Sequence, residues 1–401
     1  MSSLVLSTRA QNMPVSSIRN LVPPQNKDVR VYKLNIGQPN LPSPKEFLDG
    51  VCNYHTSTLA YDAAKGNENL LVEWAKVLNR DYQMSLTEDN FLITSGSSEA
   101  LTFCFNICCD VGDEILVFSP TYANYTGFAT MSGVKLVSVP CSFENGFHLP
   151  TSPALIECKI TPKTKAILLC NPNNPTGTVF TQNELAILHE LCVKHNLFLL
   201  VDEVYREFVY DGRTPSTILA QFPTSDRVVV LDSISKRYSL CGARIGCIVT
   251  INSEFMAAAT NFASTRVSAP TIEQEAAAVM LKNISPQYLT DAVKEYETRK
   301  NVLVSHLATI PGVGVNIPEG GFYVYASLPV QDVKDFCHFL EYRFSHNDET
   351  ISISPGSAFV IGSLLPTNYV RIAFVLSVPE LIKAAEILKE ALFVYGKQQT
   401  K

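Results

Sequence analysis

The sequence predicts an α/β protein, with a doubly wound, mainly parallel sheet in a large domain and a smaller α+β domain after it. Three observations carry this expectation. From about residue 68, short apolar runs alternate with stretches of helical periodicity. Several of those runs are apolar throughout, the pattern of strands covered on both faces. Beyond about residue 287 the character changes to long helical segments around a few strands. Repeated β-then-α order builds parallel sheets, because a parallel neighbour needs a connection long enough to hold a helix.

Taken in order, residues 1–30 are polar, carry Pro14, Pro23 and Pro24, and read as an arm. A strand over 31–36 ends at Gly37, and the three prolines between 39 and 44 make the next segment a loop. Strands are expected over 91–94, 114–118, 135–139, 166–170, 197–201, 228–231 and 245–249, with helices between many of them, such as 183–195. In the last part, a helix over 288–309 leads to a strand pair near 322–325. A helix over 333–344, a strand over 369–374 and a closing helix over 379–395 follow. The expected division is 1–45 as arm and part of the small domain, 46–287 as the large domain, and 288–401 as the small domain.

Composition limits what such a chain does. With 401 residues, 46% of them hydrophobic and 17% charged, it can bury a sizeable core. The net charge of −6, from 32 basic against 38 acidic residues, offers no basic excess for nucleic acid. No apolar run approaches the roughly 18–20 residues of a membrane span. Residues 1–9 lack the basic and apolar regions of a secretory signal. The eleven cysteines are scattered, with no Cys-x-x-Cys and no zinc-like spacing, which reads as reduced thiols in a cytoplasmic protein without a metal site.

Chemistry is concentrated where the buried strands end, the edge at which open α/β sheets bind ligands. The 166–170 strand runs into Asn171-Pro-Asn-Asn-Pro-Thr-Gly177, the 197–201 strand into Asp202-Glu-Val-Tyr205, and the 228–231 strand into Asp232-Ser-Ile-Ser-Lys236. The 91–94 strand runs into Ser95-Gly-Ser-Ser98 and then a helix, whose free N–H groups and dipole suit a phosphate. An amide loop, a carboxylate with a phenol, a lysine between hydroxyls and a small-residue helix start together describe a site for a phosphorylated, nitrogen-containing aromatic ligand.

On these motifs the chain resembles the fold-type I pyridoxal-phosphate enzymes of the class I/II aminotransferase family, the group that includes aspartate aminotransferases. Further matches are Leu34-Asn-Ile-Gly37, Tyr61 with Gly66, Pro120-Thr-Tyr122, Gly242-Ala-Arg244-Ile-Gly246, Ser354-Pro-Gly356 and Tyr369-Val-Arg371-Ile-Ala373. The resemblance implies that Lys236 holds the cofactor aldehyde and shuttles the substrate proton. It implies that Asp202 pairs with the ring nitrogen, which keeps the ring an electron sink. Tyr205 and Asn174 would bond the ring oxygen, and Tyr122 would stack on the ring face. Ser97, Ser98, Ser233 and Arg244 would hold the phosphate, with Tyr61 reaching the neighbouring subunit's site in a homodimer. Arg371 would grip the substrate carboxylate in a bidentate fork, helped by the Gly37 backbone and Asn174.

The substrate side chain is less marked in the sequence. Arg266 is expected to bind the distal carboxylate of aspartate or glutamate, with an ordinary ion pair as the alternative. Phe322, Tyr325 and Phe359 could instead line an apolar pocket for aromatic or branched donors. The same cofactor site also supports β-elimination, as in a C–S lyase. A regulator that senses an effector on this fold is disfavoured, because only about thirty non-basic residues precede the first motif.

Overall fold

The computed structural model describes residues 4–15, 29–362 and 367–399. Of the expected arm, the described part holds one short helix, Thr8–Gln11, capped by the Ser7 hydroxyl; residues 16–28 lie outside the described residues.

Thirteen strands are described. They are β1 (Arg30–Lys33), β2 (Phe91–Thr94), β3 (Glu114–Ser119), β4 (Lys135–Pro140), β5 (Thr164–Cys170), β6 (Phe198–Asp202) and β7 (Val228–Ser233). Then come β8 (Gly246–Val249), β9 (Gly314–Asn316), β10 (Tyr323–Ser327), β11 (Glu349–Ser352), β12 (Ser354–Pro355) and β13 (Tyr369–Ala373). The seven strands expected in the first part of the chain form one sheet, in the order β2-β8-β7-β6-β5-β3-β4. Its central members have both faces covered. In β5, Ala166, Leu168 and Cys170 enter one core cluster while Ile167 and Leu169 enter the other. That is why the run reads as continuously apolar. Each fully buried Val, Leu or Ile contributes about 1.5–3 kcal/mol on such a sheet.

One strand departs from the parallel pattern. β8 runs antiparallel to both β2 and β7. Its connection from β7 holds only the short helix Ile234–Arg237 and a turn, too little for a crossover helix with its return. The reversal brings Gly246 beside Thr94 and Ser233 at the edge where β2, β5, β6 and β7 end. A Cβ on Gly246 would sit 2.7 Å from backbone atoms of Gly96 and Ser97, so only glycine lets the two loops approach this closely.

The last part of the chain builds a four-stranded antiparallel sheet, β12-β13-β10-β9. Its helices are Gln287–Leu307, Val333–Tyr342 and Val378–Gln399. Strand β1 joins this region, pairing in parallel with β11. The backbone N–H of Ala373 donates to Leu34 at 2.8 Å, so the segment just before Gly37 is held against β13.

Between the two sheets runs the segment after β4. Phe143 and Phe147 pack on Tyr325 and Tyr369 of the four-stranded sheet. Beside them, His148 bridges Glu184 at 3.0 Å, on the helix Gln182–His195, and Glu319 at 3.4 Å, in the loop before β10. Hydrogen bonds to Glu184, then to Glu319, raise the imidazole to about 9. A histidine raised above its ordinary value of 6.5 adds stability fully below that value and loses it as pH rises through about 9. The thermal midpoint of the apoprotein is therefore expected to fall as pH climbs from neutral past about 9. His148→Gln should show a smaller fall over that range; an equal fall would remove the bridge from the explanation.

Candidate active site

The edge where β2, β5, β6 and β7 end opens onto a pocket of about 780 Å³. Eight of the expected site residues converge there. Asp202, Tyr205, Asn174, Lys236, Tyr122, Ser97, Gly37 and Arg371 all line this one space. Arg244 stands at its rim, close enough to Gly96 that a Cβ there would meet Nη2 at 2.5 Å. Its Nη1 donates to the carbonyl of Cys241 at 3.0 Å. Gly96 itself has φ of 73°, which turns the chain into the helix Ser97–Cys108 with its first N–H groups facing the pocket side.

Lys236 projects from the short helix after β7, and its Nζ donates to the Gly37 carbonyl at 2.8 Å. A Cβ on Gly37 would lie 1.9 Å from the Tyr323 hydroxyl, so residue 37 must be glycine for Tyr323 to keep its place. The hydroxyls of Tyr323 and Tyr205 share a hydrogen bond of 2.8 Å.

Arg371, from β13, is buried and lies between the rings of Tyr323 and Phe359, with its guanidinium carbon 4.3 and 4.4 Å from their centroids. Nη1 donates to Oδ1 of Asn174 at 3.0 Å and Nη2 to the Asn35 carbonyl at 2.6 Å. Nε is buried without a partner, and burial pushes the group below the usual arginine value. A buried cation with a free donor and no carboxylate is a receptor for an anion.

Asp202 is the opposite case. It is 3% exposed, and it accepts only neutral donors, the Tyr125 hydroxyl at 3.0 Å and the Val204 N–H at 3.4 Å. Burial raises it to about 6, against the pull of those two hydrogen bonds. Among the described residues no cation forms an ion pair with it. The donor set therefore fits pyridoxal phosphate: an uncompensated buried carboxylate for a cationic ring nitrogen, an amine for an aldehyde, and a helix start with an arginine for a phosphate.

Beneath the pocket lies a second group of charges that the sequence reading missed. Asp232 accepts from Arg206 and Arg237, each at 2.9 Å, while Glu203 and Glu207 complete the pairing at 3.0 and 2.7 Å. Both arginines and Asp232 are about fully buried. Three of its five members adjoin a pocket residue in the chain: Glu203 follows Asp202, Arg206 follows Tyr205, and Arg237 follows Lys236. The arginines hold Asp232 below the usual carboxylate range. Charged residues directly after apolar strands were the available signal.

Several of the expected residues stand outside the lining of this chain's own pocket. Arg266 is not among the residues lining this pocket; its Nε bonds Glu99 at 3.1 Å and its Nη2 the Ile93 carbonyl at 2.7 Å, while its Nη1 is buried without a hydrogen-bond partner. Ser233 is fully buried, with its hydroxyl spent on Ile245 and Ser235; Ser235 is the serine that lines the pocket. Ser98 sits one residue into the helix and does not line it. Phe322, Tyr325 and Phe359 also lie outside the lining: Phe322 packs on Tyr205 and Phe208, Tyr325 on Tyr369, and Phe359 on Arg371. Tyr61 is 83% exposed and away from its own chain's pocket.

The family model described as aminotransferase class I and II matches residues 30–388. The chain belongs to that family. An aspartate aminotransferase of Bacillus subtilis (strain 168) is 31% identical over 371 residues, covering 90% of each protein. Among solved structures, a single mutant of Thermus thermophilus aspartate aminotransferase superposes with a TM-score of 0.86 at 26% identity, covering 97% of this chain and 100% of the other. The alanine aminotransferase of Pyrococcus furiosus has the same TM-score and identity, covering 97% and 99%. The protein is a pyridoxal 5′-phosphate-dependent aminotransferase of fold type I, whose substrates are small molecules, amino acids and 2-oxo acids. Among the described residues there is no group of side chains able to hold a metal ion and no helix long and apolar enough to cross a membrane.

Removing one partner from a buried ion network strands the others without solvent. Asp232→Ala is expected to cost about 3–5 kcal/mol in urea unfolding. A cost below about 1 kcal/mol would mean that solvent reaches the two arginines.

Proposed function

We propose that this aminotransferase moves the amino group of an L-amino acid, aspartate or another acidic or broad-range donor, to a 2-oxo acid such as 2-oxoglutarate, in a two-stage ping-pong reaction through Lys236. The observation that carries the reading is the convergence of Lys236, Asp202 and Arg371 on one pocket. When bound, pyridoxal phosphate supplies an aldehyde and an electron-withdrawing ring that lowers the cost of taking a proton from the substrate's Cα.

The residues divide the remaining work. Lys236 holds the cofactor and moves the Cα proton. Asp202 would meet the ring nitrogen, Tyr122 would cover the ring face, and Tyr205 with Asn174 would meet the ring oxygen. Ser97, Ser235 and Arg244 receive the phosphate. Arg371 takes the substrate carboxylate, because it is buried, lies between two rings and keeps one donor free. Asn174 aligns it, and Gly37 closes the space beside Lys236.

The acidic preference rests on what the bacterial relatives are called. Within the lining the only cations are Lys236 and Arg371, so a second carboxylate would need a cation from outside it. A homodimer supplies such a place, with Tyr61 of each chain reaching the other's phosphate. The division at 45 and 287 sets the small domain, with Arg371, to close over the large one in the cytoplasm.

A half-reaction screen decides between donors. L-aspartate is expected to convert the bound cofactor's absorbance to that of its amine form, and faster than L-alanine or L-phenylalanine does. Release of pyruvate and ammonia without an acceptor would replace transfer by elimination. Lys236→Ala should lower kcat by at least about 10²–10⁴-fold. Retention of near-normal turnover would end the assignment of the proton to that amine.

A further inference from the structure

Asp202 is oriented by something, and the structure shows what. Tyr125 lies fully buried in the first turn of the helix Asn124–Ser132. Its hydroxyl donates to Oδ2 of Asp202 at 3.0 Å, whereas Oδ1 receives only the longer bond from Val204 at 3.4 Å. The neighbouring thiol of Cys170 is directed to the Pro172 carbonyl at 3.3 Å and offers nothing to the carboxylate. Tyr125 is also tied to the pocket wall. Its N–H donates to the Tyr122 carbonyl at 3.0 Å, and the two rings meet edge-on, 5.4 Å apart at 88°.

We propose that Tyr125 is a positioning residue of the active site, which holds Oδ2 of Asp202 so that Oδ1 is presented to the cofactor's ring nitrogen. This rests on the role given to Asp202 above. The chemistry of the donor matters. A lysine or arginine in its place would cancel the carboxylate's charge before the cofactor arrived. A phenol fixes the carboxylate and leaves the charge intact. Without it, Asp202 would keep one long backbone bond and turn freely about its last torsion, and a buried anion would lose its shortest hydrogen bond.

Four apoproteins test this: wild type, Tyr125→Phe, Asp202→Asn and the double variant, each titrated with pyridoxal phosphate and followed by protein fluorescence. Tyr125→Phe should weaken cofactor binding about tenfold, the usual worth of a hydrogen bond to a charged group. The same substitution should have almost no effect once residue 202 is asparagine, because the group it acts through is gone. Equal losses in both backgrounds, or no loss in either, would overturn the proposal by making Tyr125 a packing residue. If Asp202→Asn alone leaves affinity and turnover unchanged, the role given to Asp202 fails, and Tyr125 cannot act through it. Should Tyr125→Phe fail to fold, recovery of folding in the double variant would show the same coupling, and failure of both would sink it.

Discussion

A carboxylate at the tip of a buried strand, with no ion pair among the described residues, is the constraint around which this protein is organised. Burying a charge costs several kcal/mol unless it is compensated. Asp202 carries that cost with two neutral hydrogen bonds, so the free protein stores an attraction for a cationic ring. Arg371 does the same with the opposite sign on the facing sheet. Two buried charges, each lacking a counter-ion, face one another across the pocket, and what fills the pocket must be anionic at one end and cationic at the other. An amino acid joined to a pyridine cofactor meets that description.

The ion network beneath the pocket has the complementary job. Its charges are paired with one another, three carboxylates around two guanidiniums, and the alternation of the chain sends one residue up and the next down. Lys236 and Arg237 illustrate it: the first enters the pocket, the second is clamped below on Asp232 and Glu207. Such a network adds little net stability over apolar packing, but it fixes geometry. The loops that deliver Asp202, Tyr205 and Lys236 are pinned from beneath, so the pocket side can remain poorly compensated.

Much of this was legible in the sequence, for physical reasons. The strands of the large sheet were readable to within one or two residues, because strands buried on both faces cannot hide polar residues. The strand-end motifs were readable because each combines a turn with a functional group. The direction of β8 was not, since four apolar residues look the same either way. The ion pair of Arg266 with Glu99 was not legible, because an arginine's reach exceeds what spacing reports and Glu99 is far away in sequence. Tyr125 was invisible, a tyrosine between Asn124 and Thr126 whose hydroxyl only the fold brings to Asp202. Ser233 and Ser235 differ only in which way a strand end turns its side chains.

The pairing of β1 with β11 sets the order in which the molecule can be completed. Arg30 waits for Glu349, and Leu34 for Ala373. The first of the described strands to be synthesised therefore has no place to dock until β11 and β13 have followed, and closing so large a loop is slow. Gly37, which meets the Lys236 amine, rides on that strand. The large sheet can assemble while synthesis proceeds, yet Lys236 meets the Gly37 carbonyl only once β1 has paired with β11, and until then its amine stands open to water.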